Sequence, residues 1–382
     1  METLLTEQQK ASHKEFKQFV ASNVQPYVAE WDRAQRHPES IIFLLGKEGY
    51  LGSCIPLKYA GQGWDFVIFG LLNEALGRGS PALSNLLTVQ AMVAMTLLKW
   101  GTEEQKQRWI PQLAKGDIIG AFALTEAAAG SSTQSLQTEL RRKNSSLVLN
   151  GQKKWISYGQ TARVFLVFGK LDEEFVACLV PREAVGLEVE AIGDMLGFRA
   201  AGLATITFHD VEVPSVSMVG KPGFALSHIA PVGLHYGRMA TACSAAGLLR
   251  ACFEESISYG ATRKVADQRV GDIGMIQSLI ARLGSDLQAA QLLFYAACRA
   301  EDAQLPERFA ATLVAKYHNS KAAVTGSSDA VQIRGASGCH ESSSVARHYR
   351  DAKLMEILEG TTQVHEHILG KIFANQAAQL KT

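Results

Sequence analysis

The stretch Arg350-Asp351-Ala352-Lys353-Leu354-Met355-Glu356-Ile357-Leu358-Glu359-Gly360-Thr361-Thr362-Gln363 sets a carboxylate, Glu359, directly before Gly-Thr, where an apolar run gives way to a new helix. Glycine at 360 lets another backbone or a flat ligand come close, and Thr361 or Thr362 can cap the helix that follows. A carboxylate beside such a gap suits proton abstraction when its surroundings keep it ionised and dry. The competing reading is a surface carboxylate at a helix start, where the helix dipole favours negative charge. Partners elsewhere in the chain bear on the choice.

Bulk properties narrow the class. The chain has 382 residues, room for two or three packed units, and is 47% hydrophobic and 20% charged, as a globular protein with a large core should be. Its net charge of +1 offers no basic footprint for nucleic acid and none for an anionic membrane. Six scattered cysteines (Cys54, Cys178, Cys243, Cys252, Cys298, Cys339) form no CxxC pair and no zinc spacing, so they read as reduced thiols of a cytoplasmic protein. Met1-Glu2-Thr3-Leu4-Leu5-Thr6-Glu7 has neither the basic start nor the apolar centre of a secretory signal. His365 and His367 lie two apart on an expected helix and face different ways, and His209 and His235 stand alone; no metal site is expected.

Texture along the chain falls into three parts. Residues 1–118 read as helical: Phe16, Phe19, Val20, Val24 and Tyr27 mark one buried face, and Thr102-Glu103-Glu104-Gln105 is a capping box. Pro56–Gly63 is a turn-rich loop. From 119 to 224 the runs Leu147–Gly151, Val164–Phe168, Phe175–Val180 and Thr205–Phe208 are short and β-rich, each bounded by Gly, Asn, Asp or Pro. Helical texture returns over 225–382. Helices, then a compact β unit, then helices argue against a doubly wound sheet, and no GxGxxG loop is present.

Four segments lie in register with the acyl-CoA dehydrogenase family: Phe122-Ala123-Leu124-Thr125-Glu126-Ala127-Ala128-Ala129-Gly130-Ser131, Gly151-Gln152-Lys153-Lys154-Trp155-Ile156-Ser157, Gln332-Ile333-Arg334-Gly335-Ala336-Ser337-Gly338, and the Glu359 stretch. From about Leu44 to its end the chain resembles these flavoproteins. The resemblance implies an N-terminal α-helical domain, a β-barrel-like middle domain and a C-terminal four-helix bundle, with FAD between the last two. It makes Glu359 the base that takes the α-proton of an acyl thioester while a β-hydride passes to the flavin. The alternative base position of some members, just before Arg238, is Gly237 here and cannot serve.

The resemblance assigns further roles residue by residue. Phe122, Leu124, Thr125, Gly130 and Ser131 match the segment that contacts the flavin ring and pyrophosphate. Trp155 and Ser157 match the pair that packs on the ring and bonds to it, although a lone tryptophan in a β unit is more often core. Thr361 and Gln363 match contacts to the adenosine-diphosphate half. Ser131, Arg238 and Gly360 fall to the thioester; read alone, Arg238 is an ordinary helix-end cation. Arg263, Gln332 and Gly335 match residues that reach the FAD of a neighbouring subunit, which implies a homodimer or homotetramer. Ala266-Asp267 replace a usual Phe-Gly, Gly274 a usual glutamine, and Ala336 and Ser132 also depart from common family residues, which predicts altered contacts on the adenine side.

Gly197–Gly202, Tyr236-Gly237-Arg238, Gly247–Cys252 and Tyr349–Ile357 resemble one branch of the family, the dehydrogenases of acyl-carrier-protein thioesters in hydroxymalonyl and methoxymalonyl extender-unit (polyketide) biosynthesis. The expected substrate is then a glyceryl thioester on an acyl carrier protein. The alternatives are a conventional short-chain acyl-CoA dehydrogenase using CoA thioesters, and a non-catalytic FAD-binding protein of the same fold. Reduced flavin would pass electrons to an electron-transfer flavoprotein or to oxygen.

Overall fold

The computed structural model describes residues 2–379. Six helices come first: α1 (Glu7–Asn23), α2 (Val28–Ala34), α3 (Glu39–Lys47), α4 (Phe66–Gly79), α5 (Pro81–Trp100) and α6 (Glu103–Lys115). Their starts are written locally. The Asp65 carboxylate accepts from the Ile68 amide (2.7 Å) to cap α4, and Thr102 and Gln105 bond reciprocally at the head of α6 (3.2 and 3.0 Å). The expected face of α1 is buried at Phe16, Phe19, Val20 and Val24. Tyr27 is 49% exposed, because α1 stops at Asn23 and its periodicity ends there. Helix α5 is apolar and long enough to cross a membrane by composition, yet 89% of its apolar window is buried inside this fold.

The β unit holds β1 (Gly120–Ala123), β2 (Glu139–Lys143), β3 (Ser146–Ile156), β4 (Val164–Leu171), β5 (Glu174–Pro181), β6 (Leu187–Ala191), β7 (Ala204–Pro214) and β8 (Met218–Val219). These form one sheet in the order β6-β7-β3-β2-β4-β5-β8, with β1 added alongside β4. Pairing is parallel for β1–β4 and β2–β4 and antiparallel elsewhere, so the sheet is mixed. Each of the four β-rich runs lies on a strand.

The last part begins with α7 (Ala230–Thr262), a small hairpin of β9 (Lys264–Val265) and β10 (Gln268–Arg269), then α8 (Gly274–Asp302), α9 (Arg308–Arg334), α10 (Ser344–Met355) and α11 (Thr362–Gln379). Between Met239 and Leu249 every residue of α7 is buried, because α4, α5, α8, α9 and α10 all pack on it. Gly77 of α4 meets the Ser244 backbone and Gly247 of α7 meets the Glu74 backbone. A β-carbon at either point would force α4 and α7 apart. One continuous hydrophobic cluster therefore runs through both helical parts.

Candidate active site

Glu359 lies in the link between α10 and α11, with its backbone left-handed at φ 56° and Gly360 following at φ 97°. A non-glycine residue held there is strained, and such strain collects at functional sites. Side chains from three helices hold the turn. Arg238 Nε of α7 donates to the Glu359 carbonyl (3.0 Å), Lys316 Nζ of α9 donates to the Gly360 carbonyl (2.7 Å), and His365 Nδ1 of α11 lies 3.0 Å from the Thr361 carbonyl. Thr361 Oγ1 accepts from the Val364 amide (3.4 Å), capping α11 as anticipated.

Glu359 as a whole is half-buried, and its carboxylate packs against Gly237 of α7. One oxygen sits 2.6 Å from where a β-carbon on Gly237 would stand, and Met92 Sδ of α5 closes the same spot at 2.9 Å. Loss of water there lifts the Glu359 pKa to about 7, against the pull of Arg238 and Lys316, which favour its charged form. That places the group near the operating range of a general base. One turn earlier on α7, a side chain on Gly233 would collide with the ring of Phe122 and approach Thr96 Oγ1 (3.0 Å). Two bare positions on α7 thus let Phe122, Met92 and the Glu359 carboxylate close against that helix. Thr96 Oγ1 is buried there without a partner.

A second group of residues gathers at the edge of the sheet. The Lys154 amide donates to the Thr125 carbonyl (2.9 Å), which places Thr125 beside Trp155. Beneath them Lys153 and Glu126 form a buried ion pair at 2.7 Å, and Lys153 also donates to the Leu124 carbonyl (3.2 Å). The Glu126 carboxylate takes the Gln137 and Thr138 amides (2.6 and 2.9 Å) as well, tying down both ends of the loop that carries Gly130 and Ser131. Phe122 and Leu124 are buried, Thr125 and Ser157 half-buried, Gly130 and Ser131 exposed. Trp155 is 45% exposed on a left-handed backbone at φ 62°, so the core reading fails for it. No atom stands within 4 Å of a β-carbon built on Gly130. An exposed indole beside an open glycine loop fits a flat, charged cofactor such as FAD.

Arg263, Gln332 and Gly335 form a third group, all exposed. Tyr259 Oη reaches the Arg334 carbonyl (3.5 Å), so the ends of α7 and α9 that carry them are neighbours. Along α7, Arg263 is roughly 37 Å from Arg238 at 1.5 Å per residue. Gln363 is exposed and Thr361 half-buried on the far side of the Glu359 turn.

Two of the branch-like segments, Gly197–Gly202 and Tyr349–Ile357, meet. The Phe198 amide donates to Asp351 (2.7 Å), Arg350 Nη1 to the Leu196 carbonyl (3.1 Å), and a side chain on Gly197 would strike the Arg350 backbone. They join the sheet to α10 as scaffold. His235, a lone residue in the sequence, is buried with its ring 2.9 Å from the Glu301 carboxylate, and the half-buried Tyr236 donates its hydroxyl to the same carboxylate (3.0 Å). Among the described residues no three His, Cys, Asp or Glu side chains converge on a point that could hold a metal.

Family models cover almost the whole chain: acyl-CoA dehydrogenase N-terminal domain over residues 6–117, middle domain over 121–211 and C-terminal domain over 228–373. The chain belongs to the acyl-CoA dehydrogenase family. It is 31% identical to the bovine (Bos taurus) mitochondrial short-chain specific acyl-CoA dehydrogenase, covering 92% of this chain and 86% of that one. The crystal structure of glutaryl-CoA dehydrogenase from Mycobacterium smegmatis in complex with FADH2 superposes with a TM-score of 0.93 at 27% identity, over 98% of this chain and 96% of that one. FkbI, a protein for biosynthesis of the methoxymalonyl extender unit of a polyketide immunosuppressant, superposes with a TM-score of 0.86 at 27% identity, over 94% and 99%. The expected architecture of helical, central β and helical parts is the family's.

Three contributors to the site were not singled out in the sequence: Lys316, the Lys153–Glu126 pair and Gly233. A lysine inside Leu313-Val314-Ala315-Lys316 is the one available signal, since that run is otherwise apolar.

Proposed function

We propose that Glu359 is the base with which this FAD-dependent acyl-thioester dehydrogenase removes the α-proton of its substrate. The observation that carries this is the Glu359 carboxylate, turned into the gap left by Gly237, with a pKa lifted to about 7. Phe122, Leu124, Thr125, Gly130, Ser131, Trp155 and Ser157 hold the flavin half of FAD, and Thr361 and Gln363 the adenosine-diphosphate half. The cofactor, when bound, supplies the acceptor for the β-hydride. The chain's own part is to exclude water around Glu359, to aim its carboxylate and to take the proton. Arg238, fixed to the Glu359 carbonyl, is placed to steer the thioester arm beside Ser131 and Gly360.

The substrate is a small thioester, read here as glyceryl on an acyl carrier protein. Loss of the α-proton and β-hydride from a glyceryl thioester leaves an enediol, the tautomer of an aldehyde that a second dehydrogenase could oxidise. The branch-like motifs and the likeness to FkbI support this substrate. A CoA ester of a short acyl chain is the second reading, favoured by the bovine relative. Arg263, Gln332 and Gly335, exposed together and remote from Arg238, suit contact with FAD of a second copy of the chain in a homodimer or homotetramer. Electrons leave to an electron-transfer flavoprotein or to oxygen.

Anaerobic titration with glyceryl-carrier-protein and with butyryl-CoA tests the reading. Bleaching of the flavin band by the carrier-protein thioester alone is expected. Bleaching by butyryl-CoA alone would move the protein to CoA metabolism, and bleaching by neither would remove the dehydrogenase reading for small thioesters.

A further inference from the structure

Lys316 is a lysine set in the interior of the helical packing. It lies in mid-α9 at 1% exposure, with Thr312, Leu313, Ala315, Asn319 and Ser320 buried around it. Its ammonium donates to the Gly360 carbonyl (2.7 Å), its one hydrogen-bond partner among the described residues. Taking an ammonium out of water for a single neutral acceptor carries a desolvation cost that a leucine or methionine would not incur, and it draws the lysine's pKa down to about 7. A polar donor kept at that cost points to a task at the carbonyl it reaches.

What lies nearby is the Glu359 turn. Three consecutive carbonyls, those of Glu359, Gly360 and Thr361, are each approached by a side chain from a different helix: Arg238, Lys316 and His365. Glu359, the first of that run, holds a left-handed backbone that costs a non-glycine residue energy, while Gly360 adopts its own freely, so contacts to these carbonyls help to hold Glu359 in place. The charged and titratable groups facing Lys316 are Glu359 itself, Arg238 of α7, Glu356 at the end of α10 and His365 of α11. His365 is held neutral, at a pKa of about 4, chiefly by burial. Glu356 already bonds to Lys353 (2.7 Å). Lys316 and Arg238 are thus the two cations acting on the Glu359 carboxylate.

We propose that Lys316 is a positioning residue for proton abstraction, clamping the Gly360 carbonyl so that the strained turn aims Glu359 into the Gly237 gap. The inference rests on the reading of Glu359 as the base. Its ammonium also favours the carboxylate form of Glu359 across the same short distance. Arg238 clamps the neighbouring carbonyl but cannot replace Lys316, because each carbonyl fixes a different peptide plane.

The test uses the FAD-loaded full chain with whichever thioester reduces its flavin, in wild type, Lys316→Met, Lys316→Gln, Lys316→Arg and Glu359→Gln. Lys316→Met should lower the limiting rate of flavin reduction about 10–100-fold, as misplacement of a reacting group by an ångström does, with substrate Kd little changed. The acid limb of its pH–rate profile should move upward by about one pH unit, since one of two neighbouring cations is gone. Lys316→Arg should restore the position of that limb while recovering part of the rate. If Lys316→Met fails to hold FAD, Lys316→Gln, which keeps a donor but no charge, is judged on the same limb. A wild-type limb in Lys316→Gln or Lys316→Met overturns the proposal. An active Glu359→Gln variant would instead overturn the base reading beneath it, and the two failures are told apart by that variant alone.

Discussion

An oxygen of the Glu359 carboxylate stands 2.6 Å from the position a β-carbon on Gly237 would occupy. The two residues are far apart in sequence and share one small volume, so the carboxylate reaches its present place only because α7 is bare there. Gly237→Ala should leave the fold intact, since the displaced atoms are the end of a flexible side chain. The carboxylate would have to swing aside, and turnover should fall about 10–100-fold. Steady-state dye reduction, beside the flavin-to-protein absorbance ratio, separates this from loss of cofactor.

Replacing Glu359 by glutamine removes the proposed proton acceptor and keeps the shape. Flavin reduction by substrate should slow by about 10²–10⁴-fold, with FAD retained and melting temperature unchanged or slightly raised, because a desolvated carboxylate has been made neutral. Anaerobic stopped-flow and a thermal melt check both halves.

The pH dependence follows from the same burial. A base whose pKa is lifted to about 7 keeps its proton to higher pH than an ordinary glutamate, so kcat/KM should climb as pH rises through about 7 and level off above. Burial brings Lys316 down to about 7 as well, and as it loses its proton it makes Glu359 harder to ionise. The two should titrate as a pair, giving one broadened limb rather than a sharp single ionisation. A kcat/KM profile from pH 5.5 to 9 in the wild type, flat in residual rate for Glu359→Gln, is the expected result.

Lys153→Met and Trp155→Ala should part stability from cofactor binding. Lys153 and Glu126 are both buried, and stripping one partner leaves the other charge uncompensated at a cost of about 3–5 kcal/mol. Lys153→Met should lower the melting temperature and release FAD together. Trp155 is 45% exposed, so Trp155→Ala should weaken FAD retention with little change in the melting temperature of the FAD-free protein. Calorimetry with and without added FAD distinguishes the two.

Local patterns in the sequence reached far into this protein. The capping box at Thr102, the four β-rich runs and the buried stripe of α1 depend on neighbours a few residues away, and each stands where its pattern put it. Tyr27 departs from its stripe because a helix end is decided by the last backbone bonds, which hydrophobic spacing does not encode. Glu359 stood out through the company of the other segments in register with the family, since Glu-Gly-Thr by itself reads as well as a carboxylate at a helix start.

The rest needed the tertiary structure. Nothing near Gly237 announces that its missing side chain makes room for a carboxylate from the α10–α11 link. Lys153 reads as one of two neighbouring lysines until β3 turns it inward onto Glu126, and Lys316 reads as a helix cation until α9 packs it against Gly360. Which of these charges is solvated and which is buried is set by contacts between elements distant in the chain. Sequence alone therefore determined the order of elements and the residue types available for chemistry. The packing of α5, α7 and α9 around one turn decided which of them meet, how dry they are and how strongly they hold a proton.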